Sequence, residues 1–534
     1  MSDLLIVGAG PVGLTMALAC RQFGVSFRLV EKLPAPSGLS KALAVWSAAQ
    51  ETLDVLGVAD EFLRRSIHGK GVRISRGKRP LIEVPAGFGL DTPFPEMLLL
   101  PQSESEAILG EKLETAGVAV ERGTELVSLV QSATGVEAGL RRAGSGVTPE
   151  TFRWVAACDG AHSTVRHLVG AEFEGTALGD LFVLCDAEIE GKIDAGFVHI
   201  FWPSQGLLAI FPVRKNVWRI IATREPGSPE AEPSLSEIQS LLDHRGPGGW
   251  VLGNPTWLSK FRVSERKAAR YRHGRVFLAG DAAHIHSPAG GQGMNTGMQD
   301  AFNLAWKFAF VSAGHGREDI VLDSYHAERS PVAEKVLRES GRMIRSNSLK
   351  NPLAQIVRDR IVRLAGHSKA VKKSVVRTLS GLDISYGPGN LVSDDRHWHE
   401  DWRPHGFAPG SRPREASVFR EGKKISLFRE MRSPLFTLVL FSGRKPIYRD
   451  VDRLGSVRLV AAGYGGLVRT ISIWHGENPP AADWLLDPDV SAHKRFGVEQ
   501  PSFYLVRPDQ YVALRSQPAE AVVLHEWLAG ITDG

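Results

Sequence analysis

DLLIVGAGPVGLTMALACRQFGVSFRLVEK, residues 3–32, is the stretch whose reading decides the fold. Asp3 to Val7 is an apolar run of the kind that fills a strand buried on both faces. Gly8, Gly10 and Gly13 follow in GxGxxG spacing, with Pro11 and Val12 completing the turn. Leu14 to Phe23 has helical composition, and Val25 to Val30 is a second strand that closes on Glu31 and Lys32. Glu31 lies 18 positions beyond Gly13. Each piece has a mechanical reason: Gly8 permits the tight turn, Gly10 admits a pyrophosphate, Gly13 lets helix and strand close up, and Glu31 accepts a bond from a ribose hydroxyl. The chain therefore begins with a Rossmann-like dinucleotide-binding unit of an α/β protein.

A second stretch needs the same kind of partner. RVFLAGDAAHIHSPAGGQGMNTGMQDAFNLAWK, residues 275–307, reads as a short strand (Val276 to Ala279), then Gly280-Asp281, a glycine-rich turn, and a long helix from about Met294. Gly290, Gly291 and Gly293 let backbone amides come close to a ligand. The helix start adds roughly half a positive charge at the same place. Between the two stretches, CDGAHSTVR (Cys158 to Arg166) ends another buried strand.

The rest of the composition narrows the class. At 534 residues the chain exceeds what one core organises, so two or three domains are expected. It is 43% hydrophobic and 23% charged, with a net charge of +5. That suits anionic small ligands, and no basic run interleaved with aromatics points to nucleic acid. The three cysteines, Cys20, Cys158 and Cys185, show neither disulfide nor zinc spacing, as in a reducing cytoplasm. No Lys or Arg precedes the apolar start, which argues against a signal peptide, and no run is long enough to span a membrane.

Along the chain, a helix is expected from Ala42 to Leu56, strands and turns from Ile67 to Pro95, and a helix from Gln102 to Ala116. A flexible stretch is expected at Arg141 to Pro149. Strand-like runs dominate from Leu181 to Lys267. Residues 349–379 are basic and amphipathic, with Leu353, Ile356, Val357, Ile361 and Leu364 at helical spacing. The expected arrangement is a helix packed on the first domain with its basic face solvated, a membrane-surface helix being the alternative. A Gly- and Pro-rich linker follows near 380–415, then a small α/β domain.

The three motifs, taken in order, resemble the single-component FAD-dependent aromatic hydroxylases of the para-hydroxybenzoate and phenol hydroxylase type. Gln102 and Glu106, Phe173 to Gly175, and Tyr325, Glu328, Arg329 and Pro331 match further segments of that family. LVRPDQYVA, Leu505 to Ala513, resembles its thioredoxin-like third domain. The resemblance implies an α/β architecture with a Rossmann-like FAD-binding domain of the glutathione-reductase (GR2) type over residues 1–72, 97–180 and 268–345. A mostly antiparallel β-sheet substrate domain is inserted over 73–96 and 181–267. A helical linker over 346–394 leads to a thioredoxin-like C-terminal domain, 395–534, that lacks cysteine and so lacks thioredoxin's redox chemistry.

The resemblance also implies roles. FAD is held at Gly8, Gly10, Pro11, Val12, Gly13, Glu31, Lys32 and Gln102. Gly280 and Asp281 meet its ribityl chain. Pro288, Gly291, Gly293, Met294 and Asn295 line the ring. Asp159 and Gly160 serve FAD and NAD(P)H, and Arg166 is a candidate for a pyrophosphate or nicotinamide phosphate. Where many relatives carry arginine, this chain has Lys41 and Ala48; Lys41 keeps charge without the bidentate fork. The expected reaction is NADPH- or NADH-driven reduction of FAD. O2 then adds to give a flavin C4a-hydroperoxide, and a phenolic or polyketide-like aromatic is hydroxylated. Baeyer–Villiger or epoxidising chemistry on the same scaffold is the near alternative, and a non-oxygenating FAD reductase or FAD-binding protein the distant one. No metal is expected: His284 and His286 form an HxH pair without a third ligand. His199, His284 and His286 are candidates for a base, a hydrogen-bonding place in loop or sheet being the plainer reading of each. Phe201, Trp202, Phe211 and Trp218 on the inserted sheet are candidate substrate contacts, although alternation along a strand sends some to the far face. The expected assembly is a cytoplasmic monomer or homodimer without integral membrane association.

Overall fold

The computed structural model describes residues 2–532 apart from 39, 204–205, 226, 229, 288–289, 348–350, 395–406 and 477. β1 (Leu4–Val7) lies inside a six-stranded sheet and is wholly buried. β2 (Phe27–Glu31) flanks it on one side and Trp154–Ala157 on the other, both parallel to it. Val276–Leu278 extends the sheet beyond Trp154–Ala157, again in parallel. Because β1 has neighbours on both edges and helices on its faces, its side chains must all be apolar, and they are. α1 (Pro11–Phe23) connects β1 to β2 and ends at Gly24 with φ of 79°, a left-handed stop that glycine takes without strain.

The inserted sheet has eight strands. In spatial order they are His284–Ile285, Val251–Ala268, Phe173–Glu190, Val217–Thr223, Leu208–Arg214, Phe197–Phe201, Gly71–Arg76 and Arg79–Pro85. Neighbours are antiparallel except Phe197–Phe201 with Gly71–Arg76. Residue 180 falls inside the strand Phe173–Glu190, and the sheet begins at Gly71. The edge strand His284–Ile285 belongs to the second motif, so the glycine-rich turn is tied directly to this sheet.

Three local expectations change. The helix expected from Ala42 starts at Ser47, because Ala44–Val45 pairs with Met97–Leu99 in a small sheet. The stretch 141–149 is not flexible loop. Val136–Arg142 and Val147–Phe152 form a hairpin in which Gly144, at φ of 76°, belongs to the turn. A helix, Leu235–Arg245, and the 18-residue strand Val251–Ala268 were not anticipated; that strand is mostly polar and half-exposed, so it lacks an apolar alternation.

The C-terminal region forms a seven-stranded sheet. At its centre Phe436–Phe441 runs parallel to Val468–Trp474 across the helix Tyr448–Gly463, and antiparallel to Ser502–Val506, which pairs with Val512–Ser516. The closing helix is Ala521–Ile531. This β-α-β, β-β-α order is thioredoxin-like. Its core merges with that of the first domain: Phe436 meets Trp306 and Phe310 edge-on, with ring centroids 5.7 Å apart in both pairs.

A buried ionic network crosses the same junction. Arg507 grips Glu328 through two nitrogens (2.6 and 2.8 Å) and also Asp509 (2.6 Å). Lys307 reaches Glu328 at 2.7 Å, and Asn303 bridges Glu328 and Asp509. Burial works against the Glu328 carboxylate, but Arg507 and Lys307 outweigh it and hold its pKa well below the usual range. Burial lowers the Lys307 pKa to about 8.

Candidate cofactor and substrate site

The first half of the site is the glycine turn after β1. Gly8 has φ of 100°, and a Cβ there would lie 2.5 Å from the Cys158 carbonyl oxygen. A Cβ at Gly13 would overlap the Gly8 carbonyl. A Cβ at Gly10 would meet nothing within 4 Å. Gly8 and Gly13 are thus glycines for packing, whereas Gly10 opens onto free space. α1 has no side-chain cap and no acid in its first turn. Glu31 at the tip of β2 accepts from the Ala9 and Leu33 amides at 2.8 and 2.9 Å, which fixes its carboxylate beside the turn. Lys32 is exposed.

The second half is the turn between Val276–Leu278 and the helix Gly293–Ser312. Val12 sits in a notch made by two glycines: a Cβ on Gly280 or Gly297 would come within 2.7 Å of its methyl. That notch brings α1, the Gly280 turn and the long helix together. Asp281 is exposed between buried Gly280 and Ala282. The helix Gly293–Ser312 has neither a side-chain cap nor a first-turn acid. Gly290 and Gly291 take φ of 88° and 62°, and Pro288 lies outside the described residues. Met294 is buried. The Asn295 side chain faces the 44–46 segment, accepting from the Trp46 amide (2.8 Å) and donating to the Ala44 and Gly291 carbonyls. The Trp46 indole donates to the Gly290 carbonyl at 2.8 Å. The residues of that turn are therefore held from two sides before any ligand arrives.

Behind the turn lies a group of buried charges that the motif pattern did not reveal. Asp300 accepts from Arg329 Nε (2.6 Å), His284 Nε2 (2.7 Å) and the Gly280 amide (3.2 Å). Burial opposes ionisation of Asp300, yet Arg329 and His284 outweigh it and hold its pKa below the usual range. Arg329 also donates to Tyr386 Oη, which lies 3.4 Å from Asn303 Nδ2. The C-terminal ion pairs are in this way continuous with the turn that carries Asp281.

Several sequence candidates have other engagements. His284 is spent on Asp300 and is 1% exposed, which removes it as a base open to substrate. His286 bonds the Ser287 carbonyl through Nδ1, and its Nε2 has no protein partner among the described residues. Burial, reinforced by His284, lowers its pKa, and its ring lies against Gly293. His199 holds the Asp194 carbonyl and is kept neutral by burial. Arg166 is buried, donates to the Ala282 and Ala161 carbonyls, and stacks on Phe173; it links the CDG loop to the Gly280 turn instead of presenting a free cation. Asp159 accepts from the Val165 amide, burial raises its pKa, and Gly160 follows at φ of 80°. Gln102 accepts from the Ala42 amide and donates to Glu106. The Lys41 side chain is exposed, and Ala48 is buried.

Strand alternation sorts the proposed substrate contacts. Phe201 and Trp218, with His199 beside Trp218, face the helix Leu235–Arg245 and Trp250 on the far side of the sheet. Phe211 faces the other way, with Val198, Ile200, Val213 and Val217, toward Leu43, Ala44 and Trp46. Trp202 lies past the end of its strand under the Arg358 guanidinium. The near face also carries Arg219, which makes a bidentate pair with Asp186 (2.8 Å twice), donates to the Lys41 carbonyl and lies over Trp257. Neither Trp46 nor this pair was singled out in the sequence. The only signal was Arg219 and Asp186 at paired positions of adjacent strands.

These residues suit FAD. An open glycine and an anchored acid stand at one end, an exposed carboxylate and an uncapped helix start at the other. The comparisons agree. The sequence pattern described as FAD binding domain matches residues 1–340. The chain is 32% identical over 531 residues to 6-methylpretetramide 4-monooxygenase of Streptomyces rimosus, over 98% of this chain and 92% of that protein. The structure of aklavinone-11 hydroxylase with FAD and aklavinone matches with a TM-score of 0.80 at 26% identity, over 100% of this chain and 99% of that one. Anhydrotetracycline hydroxylase from Streptomyces rimosus matches with a TM-score of 0.78 at 27% identity, again over 100% and 99%.

Proposed function

This chain belongs to the FAD binding domain family and is an FAD- and NAD(P)H-dependent aromatic monooxygenase; from that footing we propose the part played by each residue and a phenolic, polyketide-like ring as substrate. The observation that carries the proposal is that three features adjoin in series, the first two through Val12 and the last two through Trp46. These are the Gly10 opening beside Glu31, the exposed Asp281 backed by the uncapped helix Gly293–Ser312, and the apolar sheet face around Phe211 opposite Trp46.

FAD, when bound, accepts hydride from the nicotinamide and activates dioxygen. Gly10 and the first amides of α1 receive the pyrophosphate, and Glu31 accepts from the ribose. Asp281 accepts from the ribityl hydroxyls. The Gly293–Asn295 amides would supply preorganised positive potential to the ring as it takes up negative charge. The Asn295–Trp46 clasp and the Asp300–Arg329 pair hold those groups in position, so little reorganisation is needed during reaction. The apolar face of Val198, Ile200, Phe211, Val213 and Val217 orients an aromatic ring and excludes water. His286, whose buried Nε2 has no partner among the described residues, is the histidine we assign to take a phenolic proton. The 6-methylpretetramide, anhydrotetracycline and aklavinone enzymes act on polycyclic compounds by their names, which motivates the polyketide-like class. The enzyme works in the cytoplasm as a monomer or homodimer.

The test is to assay the yellow protein against simple phenols and polycyclic phenols, following NAD(P)H oxidation, oxygen uptake and product mass. Substrate-stimulated turnover giving a product one oxygen heavier with its ring system intact is the expected result. No stimulation across both panels refutes the substrate class, and a ring-expanded product assigns Baeyer–Villiger chemistry instead.

A further inference from the structure

The helix Pro352–Ala365 is mounted with its polar side inward. Gln355, Arg358 and Asp359 are buried, and Arg76 bonds both Asp359 and Gln355 at 2.8 Å. Arg358 lies over Trp202 and donates to Asp359. The apolar side points out: Leu353 is 73% exposed, Ile361 59% and Leu364 74%, with Ile356 and Val357 about half exposed. A helix packed through its apolar stripe is the usual arrangement and was the expected one; here it is reversed. The next helix, Lys369–Leu379, adds exposed Val371 and Val375.

The exposed charges of this segment are of one sign. Residues 351–379 carry Arg358, Arg360, Arg363, Lys369, Lys372, Lys373 and Arg377 against a single acid, Asp359, which is buried and paired. Arg360 lies within the apolar stripe by helical spacing and Arg363 at its edge. Stems of that length can lie along an apolar layer while their charges reach the headgroups above it. A second copy laid on this face would bring cations against cations. An anionic bilayer satisfies both features, because acyl chains take the leucines and isoleucines and phosphates take the rim. We propose that the helix pair 352–379 docks the protein on the surface of an anionic lipid bilayer. The second helix ends at Leu379, which packs inward in the apolar cluster with Trp46 and lies beside Gly290. This inference does not depend on which ring is hydroxylated.

The test is co-sedimentation of the full-length holoenzyme with two kinds of vesicle: phosphatidylcholine alone, and phosphatidylcholine with about one-third phosphatidylglycerol. Binding to the anionic vesicles only, weakened by added salt, is expected. The variant Leu353→Ser/Ile361→Ser/Leu364→Ser and the variant Arg360→Gln/Arg363→Gln/Lys372→Gln should each lose more than about tenfold in partition. Both should keep wild-type FAD content and Tm, because the altered side chains are exposed or half-exposed. Failure of the wild type to sediment with anionic vesicles overturns the proposal, as does undiminished binding of the apolar variant. A stable dimer in light scattering that the apolar variant splits, without vesicle binding, assigns the face to a second copy and overturns it equally.

Discussion

Replacing Asp300 with asparagine should separate the scaffold of the site from its cofactor contacts. Asp300 is 0% exposed, as is Arg329, its partner at 2.6 Å. Asparagine keeps the shape and one acceptor but removes the charge. Arg329 is then a buried cation with neutral acceptors alone among the described residues: the asparagine oxygen, Tyr386 Oη at 3.3 Å and the Thr296 carbonyl at 3.2 Å. Breaking a buried ion pair by removing one member costs ~3–5 kcal/mol, a large part of the ~5–15 kcal/mol that holds a typical fold. Urea unfolding of the apoprotein should show that loss in its first transition. FAD fluorescence titration should show weaker binding as well, because with the asparagine oxygen kept on Arg329 its NH2 faces the Gly280 amide and His284, which lose their shared acceptor, and the Asp281 turn loosens. The double variant Asp300→Leu/Arg329→Met distinguishes the two effects. Apolar replacement of a whole buried pair is often neutral, so stability should largely return while FAD affinity stays low. A cost below about 1 kcal/mol for Asp300→Asn, or a double variant that recovers FAD affinity along with stability, refutes the reasoning.

Gly10→Ala should fold with the Tm of the wild-type apoprotein yet bind FAD more than about tenfold less tightly, since only the ligand occupies the space its methyl enters; Gly13→Ala should fail to fold, because its Cβ overlaps the Gly8 carbonyl. Asn295→Ala leaves the buried Trp46 amide without an acceptor and should cost ~1–3 kcal/mol in denaturant unfolding, with a lowered kcat from a loosened turn. Phe211→Ala should raise KM for the aromatic substrate, whereas His199→Ala should leave the pH profile of kcat/KM unchanged, since His199 faces the far side of the sheet. Glu328 has a folded pKa below its unfolded one, so its stabilisation is fully present above about pH 4.5 and is lost as pH falls below that; Glu328→Gln should flatten that acid limb while lowering stability at neutral pH.

Much of the frame was legible in residue order. Gly8, Gly10, Gly13 and Glu31 act within one strand–helix–strand unit, where spacing alone dictates which atoms meet, and the unit folds as read. The edges of elements were less legible. Ala44–Val45 pairs with Met97–Leu99, more than fifty positions away, and that distant pairing overrides local helical composition. Alternation on the inserted sheet was readable strand by strand, but not which face met the cofactor domain, so Phe201, Phe211 and Trp218 looked equivalent until the strands were assembled.

By itself, then, the sequence determined the family, the cofactor and the fold class, because these are written in short-range spacing that backbone geometry translates directly. The tertiary structure alone decided which polar residues find partners within the protein. Arg166, His284 and Gln102 carry chemistry suited to a cofactor, yet each is spent on a partner brought near by folding, because a buried donor or acceptor must be satisfied wherever the chain leaves it. The same requirement built the Asp300–Arg329 pair and its continuation to Arg507, 207 positions from Asp300 in the chain, which no local pattern could have joined.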